Sequence, residues 1–141
     1  MHQIIYLSSS REYLSPEQIN ELLSKSREKN LKNNITGVLL YFDRDFLQVL
    51  EGPKHAIQEL FEVIKKDERH TGILTVFNKE TTKKHFPEWN MGFASSNYEK
   101  LRTLIGFENF DQKQLYGITD KIALTLIDKF LDSYKSSFTF V

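Results

Sequence analysis

Cysteine is absent from this chain of 141 residues. The protein therefore has no disulfide, no thiolate metal ligand and no thiol nucleophile. A surplus of charge is also absent, because 19 basic residues balance 19 acidic ones. A balanced chain offers no electrostatic attraction for nucleic acid or for an anionic membrane, so we expect neither as a partner.

Long apolar segments are missing as well. The first residues, MHQIIY, lack the basic stretch and the long apolar run that together mark a signal peptide. No apolar run approaches the length of a membrane span. We therefore expect a cytoplasmic protein with a well-filled core, to which its many aromatic side chains contribute.

The common catalytic motifs do not occur. The sequence has no nucleotide-binding glycine loop, no G-x-S-x-G and no H-E-x-x-H. Asp43 and Asp45 flank a short polar turn, where we expect solvated turn formers rather than metal ligands. Metal-ligand spacing is also missing among the histidines, which are His2, His55, His70 and His85. The sequence thus predicts a protein that is not an enzyme.

The centre of the sequence is a predicted hairpin at residues 33–52. Two apolar runs, Ile35–Phe42 and Phe46–Leu50, flank its turn, and strands that are apolar on both faces are covered on both faces. Gln48 interrupts the second run. An amide buried without partners costs roughly 1–3 kcal/mol, so we expect Gln48 to have hydrogen-bond partners, and those partners to bear on function.

Strands and helices alternate on both sides of the hairpin. Ser15 and Gln18 form a capping box that begins the first helix, with Pro16 at its first position. We expect strands at residues 3–8, 73–77 and 89–94, and helices from Pro16 to about Asn30 and from Pro53 to residues 67–70. The inner faces of these helices carry Ile19, Leu22, Leu23 and Ser26, and Ile57, Leu60, Phe61 and Ile64, respectively.

The resulting order, β-α-β-β-α-β-β, is typical of a ferredoxin-like α+β domain with an additional strand. Both helices then pack on one face of the sheet. We expect the first and third strands to be central, adjacent and parallel. That arrangement would bring Tyr6 beside Gln48, within hydrogen-bond reach.

The last third of the chain predicts helices for the open face of that sheet. Residues 98–105 suggest a short helix that closes near Gly106, residues 109–117 a linker, and Thr119 the cap of a longer helix. The longer helix carries one apolar stripe, formed by Ile122, Ala123, Leu126, Ile127, Phe130, Leu131 and Tyr134. We divide the chain into a domain at 1–95 and a helical segment at 96–141, which covers the sheet and is a candidate output or oligomer surface.

Taken singly, the remaining conspicuous residues favour structural roles. Asp67–His70 is typical of a helix C-terminus with basic residues near the negative end of the dipole. Asn30 is typical of a helix C-cap and Trp89 of a core. Taken together, in this order and at this spacing, they match a known family.

That family is BLUF, the bacterial blue-light sensors that use FAD, which the chain closely resembles over residues 2–94. The resemblance rests on five motifs: IIYLS at 4–8, NNITGVLLY at 33–41, FLQVLEG at 46–52, DERH at 67–70 and FPEWNM at 86–91. It implies non-covalent binding of FAD, with FMN still open, and the flavin ring inserted between the two helices against the sheet.

The resemblance also implies roles for individual residues. Asn30 would bind the pyrimidine edge of the ring, and Gln48 would bind both the N5/O4 edge and Tyr6. Tyr6 would give an electron and a proton to the excited flavin, with Gln48 as the relay. Trp89 and Met91, expected on one face of the last strand, would pass the change to the C-terminal helices. Further flavin contacts are implied for Leu22, Leu23, Ser26, Lys29, Ile57, Leu60, Asp67, Arg69 and His70.

These features predict a blue-light photoreceptor that signals by contact with an unknown effector protein, as a homo-oligomer and without an output domain of its own. Two other functions fit the same fold: a light-insensitive flavoprotein or small reductase, and an adaptor that has lost its flavin. The presence of both Tyr6 and Gln48 counts against the first, and the intact flavin-edge residues count against the second.

Overall fold

A computed structural model describes residues 1–106, 108–134 and 139 of the chain. In chain order its elements are β1 (His2–Ser10), α1 (Pro16–Lys32), β2 (Thr36–Phe42), β3 (Asp45–Gly52), α2 (Lys54–Lys66), β4 (His70–Glu80), β5 (Gly92–Ser96), α3 (Tyr98–Ile105), α4 (Gln112–Leu115) and α5 (Asp120–Tyr134). The strands form one sheet in the order β4-β1-β3-β2-β5. The predicted α+β class is therefore confirmed.

The central hairpin forms as its apolar pattern predicts. Every residue of β2 and β3 is buried, and the two strands pair antiparallel from Thr36 to Phe42. Asp43 lies in the left-handed region with φ of 56°, which aspartate tolerates in a tight turn. Gly37 lies where a β-carbon would come within 1.9 Å of the carbonyl oxygen of Val49, so only glycine fits there.

The direction of β1 relative to β3 corrects one prediction. The two strands are adjacent, but they pair antiparallel rather than parallel. The cause is the connection: α1 returns the chain so that β2 has the same direction as β1, and the tight hairpin then places β3 between them, antiparallel to both. The predicted neighbours are correct, since Tyr6 and Gln48 are directly opposite each other in the register.

Helices α1 and α2 pack on one face of the sheet, which we call the front face. The predicted capping box of α1 is present, with Ser15 and Gln18 bonded in both directions. Leu23 of α1 and Ile57 and Phe61 of α2 are buried against the front-face residues of the strands. Those strand residues include Ile4, Tyr6, Leu39 and Leu50.

The C-terminal helices cover the opposite, back face, as predicted. The α5 residues Ala123, Ile127 and Phe130 are almost fully buried against back-face strand residues such as Ile5 and Leu40. Gly106 ends α3 with φ of 69°. The segment at 109–117, predicted to be a linker, instead contains the short helix α4, which Asp111 begins with its own capping box.

The strands β4 and β5 depart furthest from their predicted bounds. The edge strand β4 extends from His70 to Glu80 because β1, its partner, is long enough to pair along that whole length. β5 begins only at Gly92, not at Trp89. The carbonyl of Trp89 still accepts from the N–H of Gly37 in β2 over 3.0 Å, but those of Asn90 and Met91 accept from side chains of α1, so regular pairing with β2 begins only at Gly92.

Within the described residues, no helix has both the length and the apolar character that a membrane span requires.

Candidate functional site

A cavity of about 440 Å³ lies between α1 and α2 above the front face of the sheet. This volume falls within the range of small-molecule sites, about 300–1,000 Å³. The apolar part of its wall consists of Leu14, Leu22, Leu23, Leu39, Phe46, Leu50, Leu60, Val63 and Ile64. Two opposed helix faces of this kind make a slot that suits a flat aromatic group.

The floor of the cavity carries a hydrogen-bonded pair. The Tyr6 hydroxyl donates to Oε1 of Gln48, because β1 and β3 place the two side chains opposite each other on the same face. The Nε2 group of Gln48 donates to Sδ of Met91 over 3.4 Å. Gln48 is only 7% exposed. These contacts use one donor and one lone pair of the amide, and they leave one of each for a ligand.

Burial controls the protonation of Tyr6. Its hydroxyl lies in the floor of the cavity, and desolvation there raises the pKa of Tyr6 far above the ordinary value of a tyrosine. The negative charge of Asp67 raises it further. Tyr6 is therefore a neutral phenol throughout the physiological pH range. The ring of Phe61 packs against it at 5.5 Å between centroids.

Asn30 is buried in the last turn of α1 rather than acting as the C-cap, which is Asn33. Its Nδ2 group donates to the carbonyl of Asn90 over 2.6 Å. This bond fixes the amide at the cavity wall, with its remaining donor and acceptor capacity for a ligand. Ser26 and Lys29 line the cavity from the same helix, Ser26 partly buried and Lys29 at the exposed rim.

The segment after α2 forms the polar end of the cavity. Both carboxylate oxygens of Asp67 accept hydrogen bonds from the Arg69 guanidinium, at 2.5 to 3.0 Å. These bonds lower the pKa of Asp67 and raise that of Arg69. Arg69, for which the resemblance implies a flavin contact, is thus a cation whose charge Asp67 neutralises.

His70 is oriented by two bonds to the protein. Its Nε2 group donates to the carbonyl of Ile64 over 2.6 Å, and Nδ1 lies 2.8 Å from the Ser8 hydroxyl. A carbonyl can only accept, so Nε2 carries a proton and, in the neutral ring, Nδ1 accepts from Ser8. Its edge faces Tyr6 at 6.3 Å between centroids. His70 is thus a fixed wall of the cavity.

Trp89 and Met91 do not share a face, contrary to the prediction. Met91 is 1% exposed and belongs to the front-face core, where it contacts Gln48. Trp89 packs with the back-face core and stacks on Phe86 at 5.9 Å between centroids. Strict alternation fails because both residues precede β5: the Met91 carbonyl is held by Arg27 of α1, whereas the Trp89 carbonyl accepts from Gly37 of β2.

The cavity brings together most of the residues that the sequence indicated. Trp89 packs with the back-face core, and Ile57 is fully buried in the front-face core and does not line the cavity. The others line the cavity: Tyr6, Leu22, Leu23, Ser26, Lys29, Asn30, Gln48, Leu60, Asp67, Arg69, His70 and Met91. Their contacts with a flavin stay a prediction.

Sequence reasoning missed several lining residues that the register could have supplied. Phe46 and Leu50 are two positions from Gln48 on the same strand, so alternation puts them on its face. Leu39 is the register partner of Gln48 on β2. All three line the cavity.

Across residues 1–106, 108–134 and 139, no cluster of three or more histidine, aspartate or glutamate side chains could hold a metal ion. The cavity instead fits a flat heterocycle with polar edges. Leucine side chains form its walls, and the buried amides of Asn30 and Gln48 retain donors and acceptors for such edges.

Comparison with known proteins gives the same picture. The family model described as "Sensors of blue-light using FAD", BLUF, matches residues 1–92. The photoactivated adenylate cyclase subunit beta of Euglena longa is 33% identical over 101 residues, which are 71% of this chain. The chain spans only about an eighth of that relative, 12% of its length.

Two solved structures are similar over nearly their whole length. The dark-state structure of BlrB, a BLUF protein, is 30% identical with a TM-score of 0.73, and the match covers 94% of this chain and 96% of BlrB. The ground state of BlsA is 28% identical with a TM-score of 0.76, and the match covers 92% of this chain and 87% of BlsA.

Proposed function

The chain belongs to the BLUF family, the sensors of blue light that use FAD, and from this premise we propose how it detects light and transmits the signal. Light detection rests on a network of bound flavin, Gln48 and Tyr6. The observation that carries the proposal is the hydrogen bond from the Tyr6 hydroxyl to Gln48 in the floor of the cavity.

The residues of the cavity would hold the flavin without a covalent bond. Leu22, Leu23 and Leu60 would contact the faces of its ring, and the amides of Asn30 and Gln48 would bind its polar edges. Ser26, Lys29, Asp67, Arg69 and His70 would line its polar side and tail. FAD and FMN share the ring, so a cavity of this kind does not by itself separate them.

When bound, a flavin would supply the absorption of blue light and an acceptor for one electron. Tyr6 is suited to give that electron and a proton, because burial keeps its phenol neutral. Gln48 would take the proton from the Tyr6 hydroxyl, and once the electron and the proton have both returned to Tyr6, the amide would be left rotated or tautomerised. The dark state then returns thermally, because no net covalent bond has formed.

Rotation of the Gln48 amide exchanges its donor and its acceptor. At present Oε1 faces the Tyr6 hydroxyl and Nε2 faces Met91. After rotation the amide oxygen would face the Met91 sulfur, and a thioether has no proton to donate, so the Met91 side chain would lose its hydrogen-bond partner. Such an exchange is worth on the order of 1 kcal/mol, enough to bias an equilibrium that is already close to balance.

Transmission follows from the position of Met91. Its side chain contacts Gln48, and it immediately precedes β5, whose Ala94 packs into the core shared with α5. We therefore assign residues 1–95 as the flavin-binding domain and 96–141 as the helical cap that passes the change to a separate cytoplasmic effector protein. We further propose that the protein forms homo-oligomers and has no catalytic output of its own.

The network is tested by replacing its two members one at a time. We expect Tyr6→Phe and Gln48→Leu to keep the yellow flavin but to lose the reversible red shift of the absorption spectrum after blue light. Tyr41→Phe is the matched control, because Tyr41 is equally buried on the front face and bonds to Ser10 instead. It should retain the red shift.

A normal photocycle in either network variant would refute the relay. The wild-type spectrum separates the other functions: flavin absorption that blue light leaves unchanged would identify a light-insensitive flavoprotein. A colourless protein that takes up no added FAD would identify an adaptor.

A further inference from the structure

Arg27 of α1 joins two parts of the chain that are far apart in sequence. Its Nε group donates to the carbonyl of Met91 over 2.9 Å. Its Nη2 group donates to both the carbonyl and the hydroxyl of Thr139, each over 3.0 Å. One guanidinium therefore contacts the residue beside Gln48 and a residue near the C-terminus.

Thr139 is also paired with the outer edge of β5. Its N–H donates to the carbonyl of Phe93 over 2.8 Å, and the N–H of Phe93 donates back over 3.0 Å. The opposite edge of β5 pairs with β2. An open strand edge leaves unpaired N–H and C=O groups, and Thr139 satisfies those of Phe93.

We propose that Arg27 makes the position of Thr139 on β5 depend on the state of the flavin site. This inference rests on the proposed light-driven change at Gln48 and Met91. Arg27 acts as a positioning residue: it holds Thr139 against Phe93 in the dark, and light weakens that hold.

The planar guanidinium explains the coupling. Its N–H groups point in fixed directions, so one orientation must satisfy both the Met91 carbonyl and Thr139. When the Met91 side chain loses its contact with Gln48, its backbone carbonyl shifts with it. The guanidinium then turns to follow that carbonyl, and its bonds to Thr139 weaken together.

The surroundings of Arg27 make α1 the fixed part of this arrangement. Asn30 lies one turn further along α1 and bonds to the carbonyl of Asn90. Two consecutive carbonyl groups, those of Asn90 and Met91, are thus anchored to the same helix turn. A shift of Met91 occurs relative to that turn, and Arg27 is the side chain that spans from it to Thr139.

The amide of Phe93 reports directly on this contact, because its hydrogen-bond acceptor is Thr139. We would measure its hydrogen exchange by NMR on the full-length, flavin-loaded protein, in the dark and under continuous blue light. Exchange of the Phe93 amide should become about fivefold faster in the light. The amide of Ala94, which strand alternation turns toward β2, should not change.

Two variants separate the contact between Arg27 and Thr139 from the photochemistry. We expect Arg27→Ala and Thr139→Pro to show fast Phe93 exchange already in the dark, with the red shift retained. Arg102→Ala is the control, since Arg102 also donates to a backbone carbonyl, that of Phe110, but within the C-terminal helices. It should behave as the wild type does.

The outcomes are distinct. A wild type that shows the red shift but equal Phe93 exchange in dark and light overturns this inference and leaves the photoreceptor intact. A wild type without a red shift overturns both. If light still changes Phe93 exchange in Arg27→Ala, Arg27 does not couple the flavin site to Thr139. If Arg27→Ala does not fold, Arg27→Lys, which keeps the charge but not the planar fork, takes its place with the same expectation.

Discussion

At the scale of the residue, Tyr6 links burial to pH. Desolvation raises its pKa, so the folded state favours the neutral phenol, whereas the unfolded chain ionises near pH 10. The folded state then binds more protons than the unfolded one above that pH. The stability from Tyr6 is therefore complete below pH 10 and is lost as the pH rises toward the folded-state pKa.

This predicts a difference between wild type and Tyr6→Phe in alkaline solution. Above pH 10 the free energy of unfolding of the wild type should fall more steeply, by about 1.4 kcal/mol per pH unit. Urea unfolding of both flavin-loaded proteins at pH 9, 10 and 11 measures the two slopes. Other groups titrate in both proteins, so their contributions cancel in the difference between the two slopes. Equal slopes would show that Tyr6 ionises as easily when folded as when unfolded.

Asn30 provides a second test at this scale. We expect Asn30→Ala to weaken flavin binding about tenfold, the effect of losing a buried hydrogen-bonding amide. The control is Asn33→Ala, since the Asn33 side chain bonds to the carbonyl of Lys29 at the exposed end of α1. A fluorescence titration with FAD measures both affinities. If the two variants bind FAD equally well, Asn30 has no part in holding the flavin.

The residues that sequence reasoning placed correctly are those whose neighbours follow from strand register. Tyr6 and Gln48 meet because they are opposite in adjacent strands. Asp45 was wrongly predicted to be a solvated turn former, because its partners come from distant parts of the chain. It is 4% exposed and accepts hydrogen bonds from Ser9, Tyr98 and Gln112. No local pattern distinguishes it from Asp43, which is exposed.

At the scale of the elements, Asp45 joins the sheet to the cap. Its carboxylate lies at the start of β3 and accepts from Ser9 of β1, from Tyr98 of α3 and from Gln112 of α4. Four elements thus converge on one buried acceptor. The cap is held at this end by polar contacts and along α5 by apolar packing.

We therefore expect Asp45→Asn to lower the free energy of unfolding by about 1–3 kcal/mol. An amide of the same shape would put an NH₂ group against donors that now share a carboxylate. Asp43→Asn is the matched control, since asparagine tolerates the left-handed conformation of that turn. It should change stability by less than about 0.5 kcal/mol. Chemical denaturation measures both, and equal midpoints would mean that the buried carboxylate contributes nothing.

Element prediction succeeded where the signal is local and failed where it depends on a distant partner. The capping box at Ser15 begins α1, and the apolar runs form the hairpin. The start of β5 was misplaced because alternation says nothing of the helix turn that holds Asn90 and Met91. The antiparallel direction of β1 relative to β3 could have been predicted from the sequence alone, because the order of the helix and hairpin connections determines it.

At the scale of the whole molecule, one sheet separates two environments. The front face carries the cavity with its amides, and the back face is packed closed by α3, α4 and α5. β5 belongs to both, because Phe93 is in the front-face core and Ala94 in the back-face core. Under the proposed mechanism, a change at the cavity would reach the cap through this strand, which both cores share.

The same asymmetry predicts how the molecule responds to removal of its flavin. A ligand that binds only the folded state stabilises it by about 2.7 kcal/mol at a concentration 100-fold above its dissociation constant. For a chain of this size we expect the flavin-free protein to melt roughly 10 °C lower.

The loss of stability on removal of the flavin should be concentrated at the front face. There, α1 and α2 face each other across the cavity, whereas α5 packs directly on strand residues. Calorimetry with increasing FAD measures the first effect, and amide exchange of α1, α2 and α5 with and without FAD measures the second. A melting temperature independent of FAD, or an equal loss of protection in α5, would contradict a flavin bound between α1 and α2.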